Sequence, residues 1–310
     1  MSGIREIAMT EMPEVSIGNV QNEEAKTGVT VLLFDKKTGA VVGVDISGGG
    51  PASRETPLTS PVTADNPINA IVLSGGSAYG LAASDGVMRC LEEHGIGFET
   101  GYAKVPLVCQ SCIYDLGYGS ATVRPDSEMG YAACEKALAG GNPSSGSVGA
   151  GTGATVGKIC GMERAMKSGL GMYAVQLGEL RMAAVVAVNA LGDIFDSSTG
   201  RKIAGLRTED GTAFSDSCEE LWKMGQRENL FTGNTTIGAV ITNGKFNKAQ
   251  MNKIASMTRN AYARCINPVG TMADGDSIYA ASAGEVEADL NVAGTLATYV
   301  MERAIVAAIR

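Results

Sequence analysis

The chain reads as an α/β protein of four layers, an αββα sandwich in which two helix layers enclose two sheets packed face to face. Short apolar strands occur in pairs that alternate with helical patterns, which favours stacked sheets with helices outside over one parallel sheet. Glycine is abundant, at 41 residues, while aromatics make up only 5%, so the layers pack through small side chains and close backbone approach. The 310 residues are 45% hydrophobic, enough to bury a sizeable core in a single catalytic domain over 1–310.

Val29 to Phe34 and Ala40 to Ile46, split by Lys36-Lys37-Thr38-Gly39, read as a hairpin that Gly48-Gly49-Gly50-Pro51 ends. Asn69 to Leu73 is a strand running into Ser74-Gly75-Gly76-Ser77, after which Leu81, Ala82, Val87 and Leu91 mark a helix over 78–93. Val105 to Ile113 is a further strand, Glu128 to Leu138 a helix, and Met172 to Leu177 with Arg181 to Ala190 a second hairpin. Arg207 to Arg227, carrying Glu209, Asp210, Asp216, Glu219, Glu220 and Lys223, has almost no apolar periodicity and reads as a polar linker. Beyond it come a buried strand at Ile237 to Ile241, a helix at Lys248 to Cys265, a strand at Ser277 to Ala283 and a final helix from about Glu285. Glu302 and Arg303 interrupt the apolar stretch Leu290 to Ile309, which marks a packed helix rather than a membrane span.

A net charge of -8 and a pI near 4.9 argue against nucleic-acid binding, which needs a basic face to neutralise phosphates. Met1 to Glu6 has no basic region leading into an apolar core, so the expected location is cytoplasmic. The seven cysteines, an odd number in apolar surroundings, fit reduced thiols. Cys109-Gln110-Ser111-Cys112 lies in a strand-like run without a second pair, which favours buried small residues over zinc or redox chemistry. The lone histidine, His94, precedes a glycine at the end of a helical pattern and reads as a helix C-terminal residue. With no Gly-x-Ser-x-Gly elbow either, a Ser-His-Asp hydrolase is disfavoured. No cofactor and no metal is expected.

Ser147 to Lys158 is glycine-rich but fails as a phosphate loop, because Thr152 and Ile159 stand where Gly and Ser or Thr are needed. Gly149, Gly151 and Ala154 satisfy only a loose dinucleotide pattern with no clean strand before it. What remains is a donor-rich backbone ending in Lys158, either a solvated charge or, in a glycine-lined cavity, a group that orients a nucleophile.

The Asn234-Thr235 bond lies where the polar segment gives way to the buried strand. Breaking it would make Thr235 a chain start with hydroxyl and α-amine on one residue, and that amine, titrating at roughly 7.7–8.0, can serve as the base. Asp274-Gly275-Asp276 puts two carboxylates around a glycine turn; it reads either as an acidic turn or as a pair that shifts each other's pKa and holds the Thr235 amine or hydroxyl.

Thr27-Gly28-Val29-Thr30-Val31, the run Leu73 to Leu81, Gly149 to Lys158, Asn234-Thr235-Thr236 and Asp274-Gly275-Asp276 together resemble peptidase family S58, the DmpA type, in order and over nearly the whole chain. The resemblance implies an N-terminal-nucleophile-like αββα sandwich and a precursor that cuts itself into chains of 1–234 and 235–310. It also implies hydrolysis of amide bonds and a homotetramer. Thr235 and the pair Asp274 and Asp276 depart from the Ser and Ser-x-Glu of the family's serine aminopeptidases. They are more similar to the nylon oligomer (6-aminohexanoate oligomer) endo-hydrolases, as are Lys158, Asn189 and Tyr114. By that resemblance Thr235 attacks the carbonyl, Asp274 and Asp276 orient its amine, Lys158 supports the nucleophile, Asn189 donates to the oxyanion and Tyr114 lines the substrate pocket. The alternatives are a D- or β-aminopeptidase/esterase, a Thr-nucleophile acetyltransferase on the same scaffold, and an anion-binding protein that never cleaves itself.

Overall fold

The computed structural model describes residues 3–35, 37–141, 143–225 and 233–309. Its larger sheet has six strands in the order Ile4–Ile7, Leu170–Leu177, Leu180–Asn189, Thr235–Gly244, Ser277–Val286 and Val41–Ile46. Neighbours are antiparallel except Thr235–Gly244 and Ser277–Val286, which run parallel. The second sheet has five, in the order Val15–Asn22, Thr27–Phe34, Ala70–Ser74, Val108–Cys112 and Ser53–Arg54. Helices α1 (Ala83–Glu93) and α2 (Ser127–Leu138) cover the five-stranded sheet. A short α3 (Ser217–Met224) precedes α4 (Lys248–Cys265) and α5 (Leu290–Ala307), which cover the six-stranded one.

The expected αββα sandwich is therefore the fold, and the period of two along its strands shows how the layers are built. Val29, Val31 and Leu33 turn toward α1 and α2, while Leu32 and Phe34 turn toward the other sheet. In the same way Ala183, Val185 and Ala187 meet the five-stranded sheet, and Ala184, Val186 and Val188 meet α4 and α5. Both faces of these strands are buried, which is why they read as continuous apolar runs rather than alternating ones. Close approach sets the glycine content: a Cβ on Gly171 would lie 1.8 Å from the Ala304 carbonyl oxygen of α5.

Three expectations need correction. Thr27–Phe34 and Val41–Ile46 do not form a hairpin; the first pairs with Val15–Asn22 and Ala70–Ser74, and the second joins the other sheet beside Ser277–Val286. Asp35 accepts the amides of Lys37 and Thr38 in a local turn, and the chain crosses between layers so that Phe34 and Val42 both fill the space between the sheets. The polar segment from Arg207 is partly structured, since Asp216 caps α3 by accepting the Glu219 amide and buried Asp193 accepts the Ser217 amide. The end of that expected linker, at 226–227, lies outside the described residues. The last helix starts at Leu290, where Asp289 accepts the Asn291 and Val292 amides, and the preceding strand runs on to Val286.

Among the described residues no helix is long and apolar enough to cross a membrane. In α5 the apolar stretch is broken by Glu302, which is buried and pairs with Arg264 of α4 at 2.7 Å.

Candidate active site

Strand register collects the site at one end of the six-stranded sheet. Thr235 is the first residue of a central strand and lies opposite Asn189, the last residue of its antiparallel neighbour. On its other side the parallel strand starts at Ser277, so the loop 271–276 arrives at the same end, and Asn234 bridges to Asp274. Gly48 to Gly50, legible in the sequence only as a breaker, wraps this loop: the Gly50 amide donates to the Asp274 carbonyl at 2.9 Å and the Gly48 amide to that of Asp276 at 3.2 Å.

The Asn234 carbonyl receives two donors. The Thr235 hydroxyl donates to its oxygen, and so does the Gly275 amide, at 2.9 Å. Gly275 must come this close bare, for a Cβ there would lie 2.8 Å from Thr235 Oγ1 and 2.7 Å from the Gly50 oxygen. Asp276 accepts the amides of Thr236 at 2.7 Å and Gly270 at 3.2 Å. Asp274 accepts the Thr271 amide at 2.8 Å and its hydroxyl at 2.7 Å. Lys158 Nζ donates to Asn189 Oδ1 at 2.8 Å, to the Asn189 carbonyl at 3.0 Å and to the Gly233 carbonyl at 3.3 Å. Asn189 Nδ2 in turn donates to the Tyr114 carbonyl at 2.9 Å, and its Oδ1 also accepts the Thr155 amide. The side-chain amide has a second N–H, so this bond does not exhaust its donors.

Thr235, Lys158, Asn189, Asp274 and Asp276 are all buried, with no more than 5% exposed, and the shortage of water sets their protonation. Burial pushes Lys158 down to about 7, against the charges of Asp274, Asp115 and Asp276, which favour its ammonium form. Burial, reinforced by the charge of Asp274, pushes Asp276 up to about 7. Asp274 is raised by burial too, with the Thr271 donors pulling the other way. Such a cluster exchanges protons near neutrality, where a base is most effective.

The five buried residues singled out in the sequence thus come together, with Tyr114 at the edge. Tyr114, Asp115, Tyr118, Thr155, Lys158, Met162 and Gly233 line a small cavity of about 10 Å³. Cys109 and Cys112 stay out of the site, buried in their strand with their thiols pushed up to about 12 by burial. His94 sits at the C-terminal end of α1. Asp115 escaped sequence reasoning. It is buried beside Lys158 and accepts the Thr27 hydroxyl at 2.6 Å and the Gly76 amide at 2.7 Å, partners 88 and 39 residues away. Only spatial assembly reveals it.

Residues 8–310 match the model of Peptidase family S58. The chain is 38% identical over 269 residues to an uncharacterized aminopeptidase of Mycobacterium leprae, covering 84% of this chain and 72% of that protein. It is 33% identical over 290 residues to a 6-aminohexanoate-oligomer endohydrolase of a Kocuria species, covering 91% and 77%. A β-aminopeptidase of a Burkholderia species superposes with a TM-score of 0.65 at 19% identity, over 99% of this chain and 87% of that one. The L-aminopeptidase D-Ala-esterase/amidase of Ochrobactrum anthropi, described as a variant among the Ntn hydrolase fold, gives 0.68 at 16% identity over 97% and 85%.

Proposed function

This chain belongs to peptidase family S58 and hydrolyses amide bonds, and we propose that it first cuts its own Asn234–Thr235 bond and then uses Thr235 as an N-terminal nucleophile on linear oligoamides of the 6-aminohexanoate type. The observation that carries the reading is the pair of donors on the Asn234 carbonyl. Thr235 Oγ, losing its proton to a neighbouring base, attacks that carbonyl carbon, and the Gly275 amide meets the charge on its oxygen. The C–N bond breaks as the nitrogen takes a proton, leaving Asn234 esterified to Thr235, and water then releases Asn234 as a carboxylate. The new α-amine is the base for later turnovers. Asp274 and Asp276 hold and charge-balance it, Lys158 supports the nucleophile, and Asn189 offers its second N–H to the substrate oxyanion. Release of the 1–234 end withdraws Gly233 from the cavity beneath Tyr114 and makes room for substrate. We extend the proposal to a homotetramer, on the family resemblance, and to a reducing, cytoplasmic setting, which the seven free thiols support.

The base that takes the Thr235 proton must itself be deprotonated, and the two groups assigned to that transfer, Lys158 and Asp276, both titrate near 7. Self-cleavage is therefore expected to be fast at about pH 8 and to slow by at least about tenfold per unit below about pH 7. A time course on denaturing gels measures it; a rate unchanged down to about pH 6 would remove Lys158 and Asp276 from the proton transfer. Gly275→Ala is expected to slow processing by at least about tenfold, because the added methyl group displaces Thr235 Oγ1. Processing at the wild-type rate would show that the close approach is not required.

Substrate class is tested with 6-aminohexanoate oligomers, the same oligomers acetylated at the amine, and an amino-acid p-nitroanilide. Comparable initial rates on free and acetylated oligomers are expected. A second reading, an aminopeptidase, is favoured by the name of the Mycobacterium leprae relative and by Asp115, a carboxylate lining the cavity next to Gly233 that could receive a substrate ammonium. Activity confined to the free-amine substrates would establish that reading instead.

A further inference from the structure

Where α1 and α2 pack together, three side chains of the two helices converge. Cys90 and His94 stand one turn apart on α1, and Glu135 reaches them from α2. Glu135 Oε1 lies 3.3 Å from Cys90 Sγ and 3.6 Å from His94 Nε2, and the three ligand atoms are all within 4.8 Å of one another. Bonds of 2.0–2.3 Å in a tetrahedron put ligand atoms roughly 3.3–3.8 Å apart. The two pairs that include Glu135 already stand at that spacing.

The histidine tautomer fits the same purpose. His94 Nδ1 is 2.8 Å from the Cys90 carbonyl oxygen, and a carbonyl only accepts, so Nδ1 carries the proton. That leaves Nε2, 3.6 Å from Glu135 Oε1, as the ring nitrogen that can offer a lone pair to a cation. A backbone carbonyl on Nδ1–H is the usual way a metal-binding imidazole is oriented. Cys90 is buried, whereas the His94 and Glu135 side chains are 40% and 45% exposed, which provides both a shielded soft ligand and a path from solvent. Sequence spacing gave no sign of it, because Glu135 comes from another helix and Cys90 has no partner cysteine nearby in the chain.

We propose that Cys90, His94 and Glu135 bind one divalent cation of the zinc class, with water completing the tetrahedron, and so clamp α1 to α2. The mixed sulfur, nitrogen and carboxylate set selects borderline-soft ions over magnesium or calcium. Binding displaces the Cys90 thiol proton to solvent as the sulfur–metal bond forms. The clamp is separate from the amide chemistry.

The test is a cobalt(II) titration of the whole, tag-free, reduced protein, followed by displacement with zinc. A thiolate-to-cobalt charge-transfer band saturating at one ion per chain is expected, lost in Cys90→Ser. In His94→Ala and Glu135→Gln the half-saturation point should rise at least tenfold, the scale on which lost ligand support weakens metal sites. These two positions are half-exposed, so their variants keep the test open should Cys90→Ser fail to fold, and their amide hydrolysis should match wild type. Absence of a saturable thiolate band, or unchanged half-saturation in both His94→Ala and Glu135→Gln, would overturn the proposal.

Discussion

Thr235→Ala is expected to remain one uncleaved chain and to lose amide hydrolysis by at least about four orders of magnitude, the scale of losing a covalent nucleophile. The single hydroxyl serves twice, first on the Asn234 carbonyl it already contacts and then on substrate. Thr235→Ser keeps the hydroxyl and should still process. The alanine variant should fold, since only a hydroxyl with its hydrogen bond and one methyl group are removed from a strand held by ladders on both sides. Intact mass, circular dichroism and initial rates read the three properties separately. Cleavage or substantial turnover in the alanine variant would move the nucleophile elsewhere.

Asp274→Asn and Asp276→Asn are each expected to lower turnover by about two orders of magnitude or more. Asp276 is fixed by the Thr236 and Gly270 amides and lies one residue before Ser277, the start of the strand that runs parallel to the one carrying Thr235. An asparagine there cannot hold an ammonium by charge and turns one N–H toward donors that need an acceptor. The two substitutions differ in one respect. The charge of Asp274 helps to raise Asp276 to about 7, so in Asp274→Asn the acid limb of the residual activity should move to lower pH. Near-wild-type turnover in both variants would reduce Asp274-Gly275-Asp276 to an acidic turn.

How far the chain's own letters reach is clear from particular elements. The strands that carry Thr235 and Asn189, and helix α4, were legible because they are long, strongly apolar or periodic, and bounded by turn residues. The layer assignment of Thr27–Phe34 and Val41–Ile46 was not, because adjacent apolar strands give the same pattern whether they pair with each other or part into two sheets. Val15–Asn22 was missed because Gly18 and Asn19 break its apolar run, a break that close packing under α2 requires. At the site, Thr235, Lys158 and the two aspartates announced themselves as chemistry-bearing types in unusual settings. Asp115 and the Gly275 amide did not, since a backbone donor has no letter and a carboxylate's partners can lie anywhere in the chain.

Intact-mass spectrometry of the active wild-type protein under denaturing conditions tests the central claim most directly. Two chains are expected, one ending at Asn234 and one beginning at Thr235, with hydrolysis appearing in step with the cleaved fraction. A fully active protein that remains a single chain across the Asn234–Thr235 bond would contradict it.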